Sequence, residues 1–429
     1  MNRLIASLSL VTPAFLGGAD QGAQEIRLTA FKSALRWWWR ALQWAHTDST
    51  DPLKARNDLW HREMALFGSA AREDDGRMAG GQGAFLMRLD GASQSTWHAE
   101  CAETWMPRQQ GKDTKPAQTS GRAYLLGQGL WQNGKFAPNR TALPPSKFTL
   151  EFLFKPAKGL NTGANTGQEV VQIAQSLWLL CHFGGIGARS RRGWGSVVLD
   201  DAMHWDGIDV NGQIPLPARS PQEMSQTLLS LLPKNMPTEL PPFTAFSART
   251  LINGRQFSNM EAPNALEAIG NDFLVWRKDI SKLDAPLVKN FAKKIHPGAL
   301  PKRAIFGLPH NYFLINGDDN GKEVSVTLAP SNTLDTGARR ASPLLMHMHR
   351  WDASPSAACS AIYSLMPAIF LSPGEKVRYD RVTQPGSRLQ LTVTPGAEEQ
   401  LWEPANRFME CLKDGFNIYP SFSKLGMSK

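Results

Sequence analysis

The sequence predicts an α+β protein of two ferredoxin-like domains with insertions. Three observations carry that expectation. A strand, helix, strand, strand, helix, strand order runs through the first half, and alternating strands mixed with helices recur in the second. A chain of 429 residues, 42% of them hydrophobic, is also too long for one core of the usual size. The division expected is an N-terminal domain over 1–210, a proline-rich linker over 211–243 and a more divergent C-terminal domain over 244–429.

Leu4 to Val11 sets Leu8 and Leu10 against Ser7 and Ser9 and ends at Thr12-Pro13. This reads as a first strand running into a loop, since the apolar run is too short for a secretory signal. The loop Gly17 to Asp20 leads to a helix expected from Thr29, read as its N-cap, to Ala45. Leu59 to Phe67 is a second helical stretch stopped by Gly68. Ala84 to Leu89 follows the glycine run Gly80 to Gly83 as a strand, and Pro107 to Thr119 reads as a polar, mobile excursion. Lys147 to Phe154 alternates at period two, the pattern of a strand with one buried face. Glu169 to Phe183 places Val170, Ile173, Ala174, Leu177, Leu180 and Cys181 at helical spacing, and Gly193 to Leu199 supplies the last strand.

Seven prolines between Pro215 and Pro242 flank a helical piece, Ser225 to Leu232, and mark the linker. Beyond it, Ala262 to Lys294 reads as helical. Val324 to Leu328, Leu344 to His349 and Leu389 to Val393 read as strands, with Ala304 to Pro309 between.

The formal net charge of +9 points to a polyanionic partner, nucleic acid first. The four cysteines, Cys101, Cys181, Cys359 and Cys411, lie in no metal-ligand spacing and cannot staple so long a chain, which fits a reduced cytoplasm. No stretch of about 18 uncharged apolar residues suggests a membrane span.

Two motifs could carry function. Lys32, Arg36 and Arg40 follow at i, i+4 and i+8 around the run Trp37-Trp38-Trp39, giving one cationic stripe with no acidic residue at i+4 spacing. Core packing accounts for most of the tryptophans, and a phosphate backbone would use the stripe. Phe183 to Gly195 then combines Gly184, Gly185, Gly187, Gly193 and Gly195 with Arg189, Arg191 and Arg192. The glycines allow close backbone approach and N–H groups aimed at a ligand, and the arginines supply charge. A dinucleotide fingerprint needs a strand before the glycines and a helix after them, the reverse of the order here. No glycine run continues into a P-loop Lys-Ser or Lys-Thr.

In order along the chain, Thr12 to Ala19, Glu25-Ile26-Arg27, Ser33 to Leu42, Glu63 to Ser69 and Gly184 to Ser196 resemble the RAMP superfamily, and within it the first subunit of the Cmr (type III-B) CRISPR effector complexes. Phe306 to Pro309 and Arg339 to Leu345 resemble a closing segment of the same kind. The resemblance implies RRM-like (RAMP) domains and a non-catalytic subunit that caps the backbone near the guide RNA 3′ end and needs no cofactor. It implies guide RNA, target RNA and other RAMP subunits as partners. The RNA-binding residues it implies are Arg27, Lys32, Arg36, Arg40, Gly185, Gly187, Arg189, Arg191, Arg192, Gly193, Arg339 and Arg340. The sequence departs from the pattern at Trp39 and between Gly111 and Ala137.

The competing reading is a RAMP endoribonuclease using histidine as general acid or base. His182 reads as a packed core residue, and His347 and His349 as neighbours on a wet strand face. Asp20, the nearest candidate for a cleaving aspartate, lacks a second carboxylate in its segment. A free-standing single-strand RNA chaperone would share the charge and the aromatics.

Overall fold

The computed structural model describes residues 2–17, 26–47, 51–74, 77–90, 105, 120–127, 129–132, 135–136, 142–155, 166–207, 209–210, 212–258, 260–293, 295–296, 298–314, 323–331, 339–352, 359–381, 388–412 and 415–419. Asp20, Cys101, the excursion Pro107 to Thr119 and much of 107–140 lie outside these residues.

The first half runs β1 (Asn2–Leu10), α1 (Leu28–Ala45), α2 (Pro52–Phe67), β2 (Gly68–Asp74), β3 (Arg77–Gln82), β4 (Phe85–Asp90), α3 (Gly121–Leu126), β5 (Trp131–Gln132), β6 (Lys135–Phe136), β7 (Lys147–Phe154), α4 (Thr166–Phe183), β8 (Val197–Leu199) and β9 (His204–Asp206). The main sheet has the order β4-β7-β1-β8, with β9 on the same edge of β1 as β8, and every pairing is antiparallel. With the small β2–β3 and β5–β6 hairpins set aside as insertions, this is the βαββαβ arrangement read from the sequence. Period two in β1 and β7 buries Leu4, Ala6 and Leu8 with Phe148, Leu150, Phe152 and Phe154, and α1 and α4 cover that face. Helix α1 begins one residue before Thr29, and its N-cap is Arg27, which makes no side-chain capping bond. Helix α2 begins earlier than its apolar pattern suggests, because the Asp51 side chain accepts from the N–H groups of Leu53 and Lys54 ahead of Pro52.

The segment 211–243 contains α5 (Pro221–Leu231), which buries Met224, Leu228 and Leu231 in the first core. The second half runs β10 (Leu251–Phe257), α6 (Ala262–Ala292), a 3₁₀ helix (Lys302–Phe306), β11 (His310–Leu314), β12 (Val324–Pro330), β13 (Leu344–Arg350), β14 (Cys359–Leu365), β15 (Lys376–Arg381), β16 (Arg388–Thr392), α7 (Ala397–Glu410) and β17 (Phe416–Tyr419). Its main sheet, β13-β14-β10-β17, repeats the first sheet's order: β10, β13, β14 and β17 stand where β1, β4, β7 and β8 stand. Strands β11, β12, β15 and β16 form a separate antiparallel sheet inserted between those elements. The strands read at Val324 and Leu389 therefore belong to the insertion, and only the one at Leu344 belongs to the repeated sheet.

The two halves share their cores. Ile252, Leu345, Ile362 and Met366 join the first cluster, whereas Val11, Phe15, Leu125 and Trp194 join the second. Helix α3 docks on α6 across the halves. Glu267 of α6 accepts from the N–H groups of Gly121 (2.8 Å) and Arg122 (3.0 Å), and a Cβ on Gly121 would stand 2.2 Å from the Glu267 carbonyl oxygen.

Candidate nucleic-acid interface

Helix α1 buries Phe31, Leu35, Trp38, Trp39 and Leu42, and the Trp39 indole donates to Gln172 Oε1 at 2.9 Å. Only Trp37 of the three tryptophans stays partly open. The basic stripe forms as expected, but it has an acidic partner that local spacing cannot reveal. Glu63, buried on α2, takes Arg40 in a two-pronged contact of 2.6 Å at each oxygen and lies 3.4 Å from Arg36. Arg36 also donates to the Gly68 carbonyl. Lys32 has no carboxylate partner among the described residues; its ammonium sits 5.8 Å over the Phe85 ring, and burial with Arg36 and Lys155 nearby lowers its pKa. Arg27 donates to the Gly17 carbonyl at 3.1 Å.

The glycine-arginine loop folds on itself. Ile186 N–H donates to Gly195 (2.9 Å), Ala188 N–H to Phe15 (2.8 Å) and Gly195 N–H to Pro13 (2.8 Å). These donors are therefore not aimed at a ligand as expected, and the glycines serve close packing instead. Gly187 has φ +85°, and a Cβ there would lie 2.6 Å from the Phe15 carbonyl oxygen. Gly185 and Gly193 are likewise packed against backbone and side chains.

The three arginines part company. Arg189, at φ +64°, is exposed at the tip. Arg191 stacks 5.3 Å over Trp37 and donates to the Ser342 carbonyl at 2.5 Å, and burial brings its pKa down to about 10. Arg192 crosses to the second half, 4.7 Å over Phe273, and reaches the Phe306 carbonyl at 3.3 Å. Burial, with Arg277 as a neighbouring like charge, brings its pKa down to about 9. The loop is a clip between halves, held also by Met346 N–H donating to the Arg191 carbonyl at 3.1 Å. Arg340 is held by Glu375 at 2.6 Å and the Phe370 carbonyl at 3.1 Å, whereas Arg339 is exposed.

Two open clefts flank α1. One, of about 350 Å³, is lined by Ser33, Trp37, Gly185, Gly187, Ser190 and Arg191. The other, of about 390 Å³, is lined by Thr29, Lys32, Ser33, Arg36, Ser69 and Gly83. Ser33 stands on the ridge between them. The structure thus brings together Lys32, Arg36, Gly185, Gly187 and Arg191. Arg40 is tied to Glu63, and Arg340 lies apart. Ser33 and the open face of Trp37 carry no signal in the sequence beyond their place on the helix.

The histidine pair does not lie on a wet face. His347 and His349 are buried, and His182 is buried beside them with its ring centroid 5.2 Å from that of His349. His347 Nδ1 lies 2.6 Å from the Gly184 carbonyl oxygen and must donate to it, so its Nε2 accepts from His349 Nδ1 at 3.3 Å. His182 Nδ1 donates to Trp178 at 2.7 Å, and its Nε2 accepts from Ala218 N–H at 3.1 Å. Burial lowers the pKa of His182 to about 3 and of His347 to about 4, and pushes His349 well down, with neighbouring histidines adding to it.

Residues 7–198 match the RAMP superfamily. Among solved structures, apo Cmr1 from Pyrococcus furiosus superposes with a TM-score of 0.50 at 15% identity, covering 98% of this chain and 100% of that one. A type III-B Cmr-beta chain, solved in a complex bound to cognate target RNA, gives a TM-score of 0.49 at 11% identity, covering 95% and 99%. Comparison with curated proteins finds no match. The segment 7–198 thus matches the RAMP superfamily, and the chain shares its fold over both halves with the Pyrococcus Cmr1.

Proposed function

We propose that the chain is an RNA-binding, non-catalytic backbone subunit of a type III-B CRISPR effector complex, capping the backbone near the guide RNA 3′ end and helping to hold guide and target. The observation that carries this reading is the surface around α1, where two open clefts meet at Ser33, one basic through Lys32, with Arg36 held by Glu63 beside it, the other walled by Trp37 and Arg191. A single strand laid over that ridge would meet phosphate-binding charge on one side and a stacking face on the other. The net charge of +9 and the RAMP match support nucleic acid, and the fold shared with Cmr1 supports membership of such a complex. Guide RNA, target RNA and neighbouring RAMP subunits are the partners. Recognition of sequence falls to base pairing.

Binding is favoured over cleavage because the three histidines are buried and neutral near pH 7. No helix among the described residues is long and apolar enough to cross a membrane.

The test is incubation of the purified chain with labelled guide and target RNAs, with and without divalent metal, following binding and cleavage in the same samples. Binding that strengthens at low salt, without product, is expected for guide and unrelated strands alike. Cleavage abolished by His347→Ala or Asp20→Ala would make the chain an endoribonuclease instead.

A further inference from the structure

Three guanidinium groups from distant parts of the chain meet at the seam between the halves: Arg192 from the loop, Arg277 from α6 and Arg303 from the 3₁₀ helix. Arg192 lies 4.7 Å over Phe273, Arg303 4.6 Å over Tyr312, and Arg277 between the rings of Phe306 (5.5 Å), Phe273 (5.6 Å) and Tyr124 (5.9 Å). Among the described residues one carboxylate, Asp284, faces them, and it is already engaged. It accepts from the N–H groups of Lys302 (2.6 Å) and Arg303 (3.0 Å), from Arg303 Nε (3.3 Å) and from the Tyr312 hydroxyl (3.3 Å).

Among the described residues Arg277 touches ring faces but no acceptor. Its Nε is cut off from solvent without a hydrogen-bond partner, and so is Nε2 of His310. His310 is held neutral, its pKa down to about 2 through burial and the charges of Arg277, Arg303 and Arg192. Like charges gathered at a half-buried seam with an unspent donor cut off from solvent are costly, and an anion among them relieves both the repulsion and the orphaned donor. Rings that stack on a guanidinium face leave its N–H edge free, and that edge matches a phosphate in two-pronged geometry.

We propose that this seam is a binding site for a phosphate group, with Arg277 and Arg192 as its principal ligands and His310 at its margin. The site goes beyond the scaffold reading: the group belongs either to an RNA strand or to a free phosphate, and the two sources separate experimentally.

The full chain is unfolded thermally in sodium pyrophosphate and in sodium chloride of matched ionic strength. A fluorescent single-stranded RNA is titrated across salt in parallel. Both are done with the wild type, Arg277→Gln and Arg277→Lys. A rise in wild-type Tm that grows with pyrophosphate and is lost in Arg277→Gln supports the site. If RNA is the carrier, Arg277→Gln also lowers affinity about 3- to 10-fold and reduces the salt slope by about 1. A Tm effect with unchanged RNA binding supports the site with a free phosphate as its ligand. Should Arg277→Gln fail to fold, Arg277→Lys carries the comparison, with a weakened Tm rise expected because the fork is gone. No rise above chloride in the wild type, or a rise that survives in the folded variants, overturns the proposal. Wild-type protein that binds no RNA would sink the scaffold reading and leave the thermal arm to decide the site.

Discussion

Charge on this protein's surface is set by individual partners. Glu63 is buried and sits between two arginines that the sequence presents as an unpaired stripe. A carboxylate so placed both steadies α1 against α2 and withdraws Arg36 and Arg40 from an incoming phosphate. Replacing it by glutamine removes the charge and keeps the shape. Because the arginines are about one-third exposed (34% and 33%), the expected loss of stability is modest, about 1–2 kcal/mol, less than for a fully buried pair. RNA affinity should rise, with a steeper salt slope, since the freed guanidinium groups can reach phosphates. Thermal unfolding and salt-dependent titration of Glu63→Gln check both signs; a folded variant with no rise in affinity and an unchanged salt slope would place Arg36 and Arg40 outside the RNA path.

Among the elements, β13 shows how a strand reads correctly while its role is hidden. Its pattern, Leu-Leu-Met-His-Met-His-Arg, gives a strand, and all seven residues are buried, both faces being covered. The histidines sit inside because α4 and the Gly184 turn come across from the other half, a juxtaposition that no local spacing encodes. Strand β10 was illegible for a local reason: Asn253-Gly254 is a turn signal in mid-strand. The glycine is there because the Phe416 ring of β17 lies where a Cβ would be, 2.2 Å away. The buried histidines also set a pH dependence. Their folded pKa values lie below the unfolded value of about 6.5, so the unfolded chain binds more protons below that pH. Their contribution is fully present above pH 6.5 and is lost as pH falls toward about 4 for His347 and about 3 for His182. Each pH unit in that window costs about 1.4 kcal/mol per histidine. Denaturant unfolding from pH 7 to 5 should show the fall. His347→Gln should flatten it while retaining a donor to Gly184; an unchanged slope would show that other groups dominate acid sensitivity.

For the whole molecule, the same βαββαβ strand order occurs twice, with β10, α6, β13, β14, α7 and β17 repeating the first half. The first copy was readable because its strands alternate cleanly and follow the helices in the expected order. The second is split by a four-stranded inserted sheet, so its strands lie far apart in sequence and two of the legible ones belong to the insertion. The basic stripe and the loop were also legible as motifs. The site was not, because its charges are sorted by contacts between halves: Arg191 to Ser342, Arg192 to Phe306, His347 to Gly184. Those contacts, with core residues exchanged in both directions, predict that the halves do not unfold separately. Domains joined only by a linker melt apart, whereas a seam that contributes to both cores couples them. Calorimetry should show one transition with matching calorimetric and van't Hoff enthalpies. Arg192→Ala, which unclips the loop from Phe273 and Phe306, should lower the midpoint of that transition. Two resolved transitions in the wild type would mean that the seam is a contact between independent domains, and that the clip positions the arginines without holding the fold together.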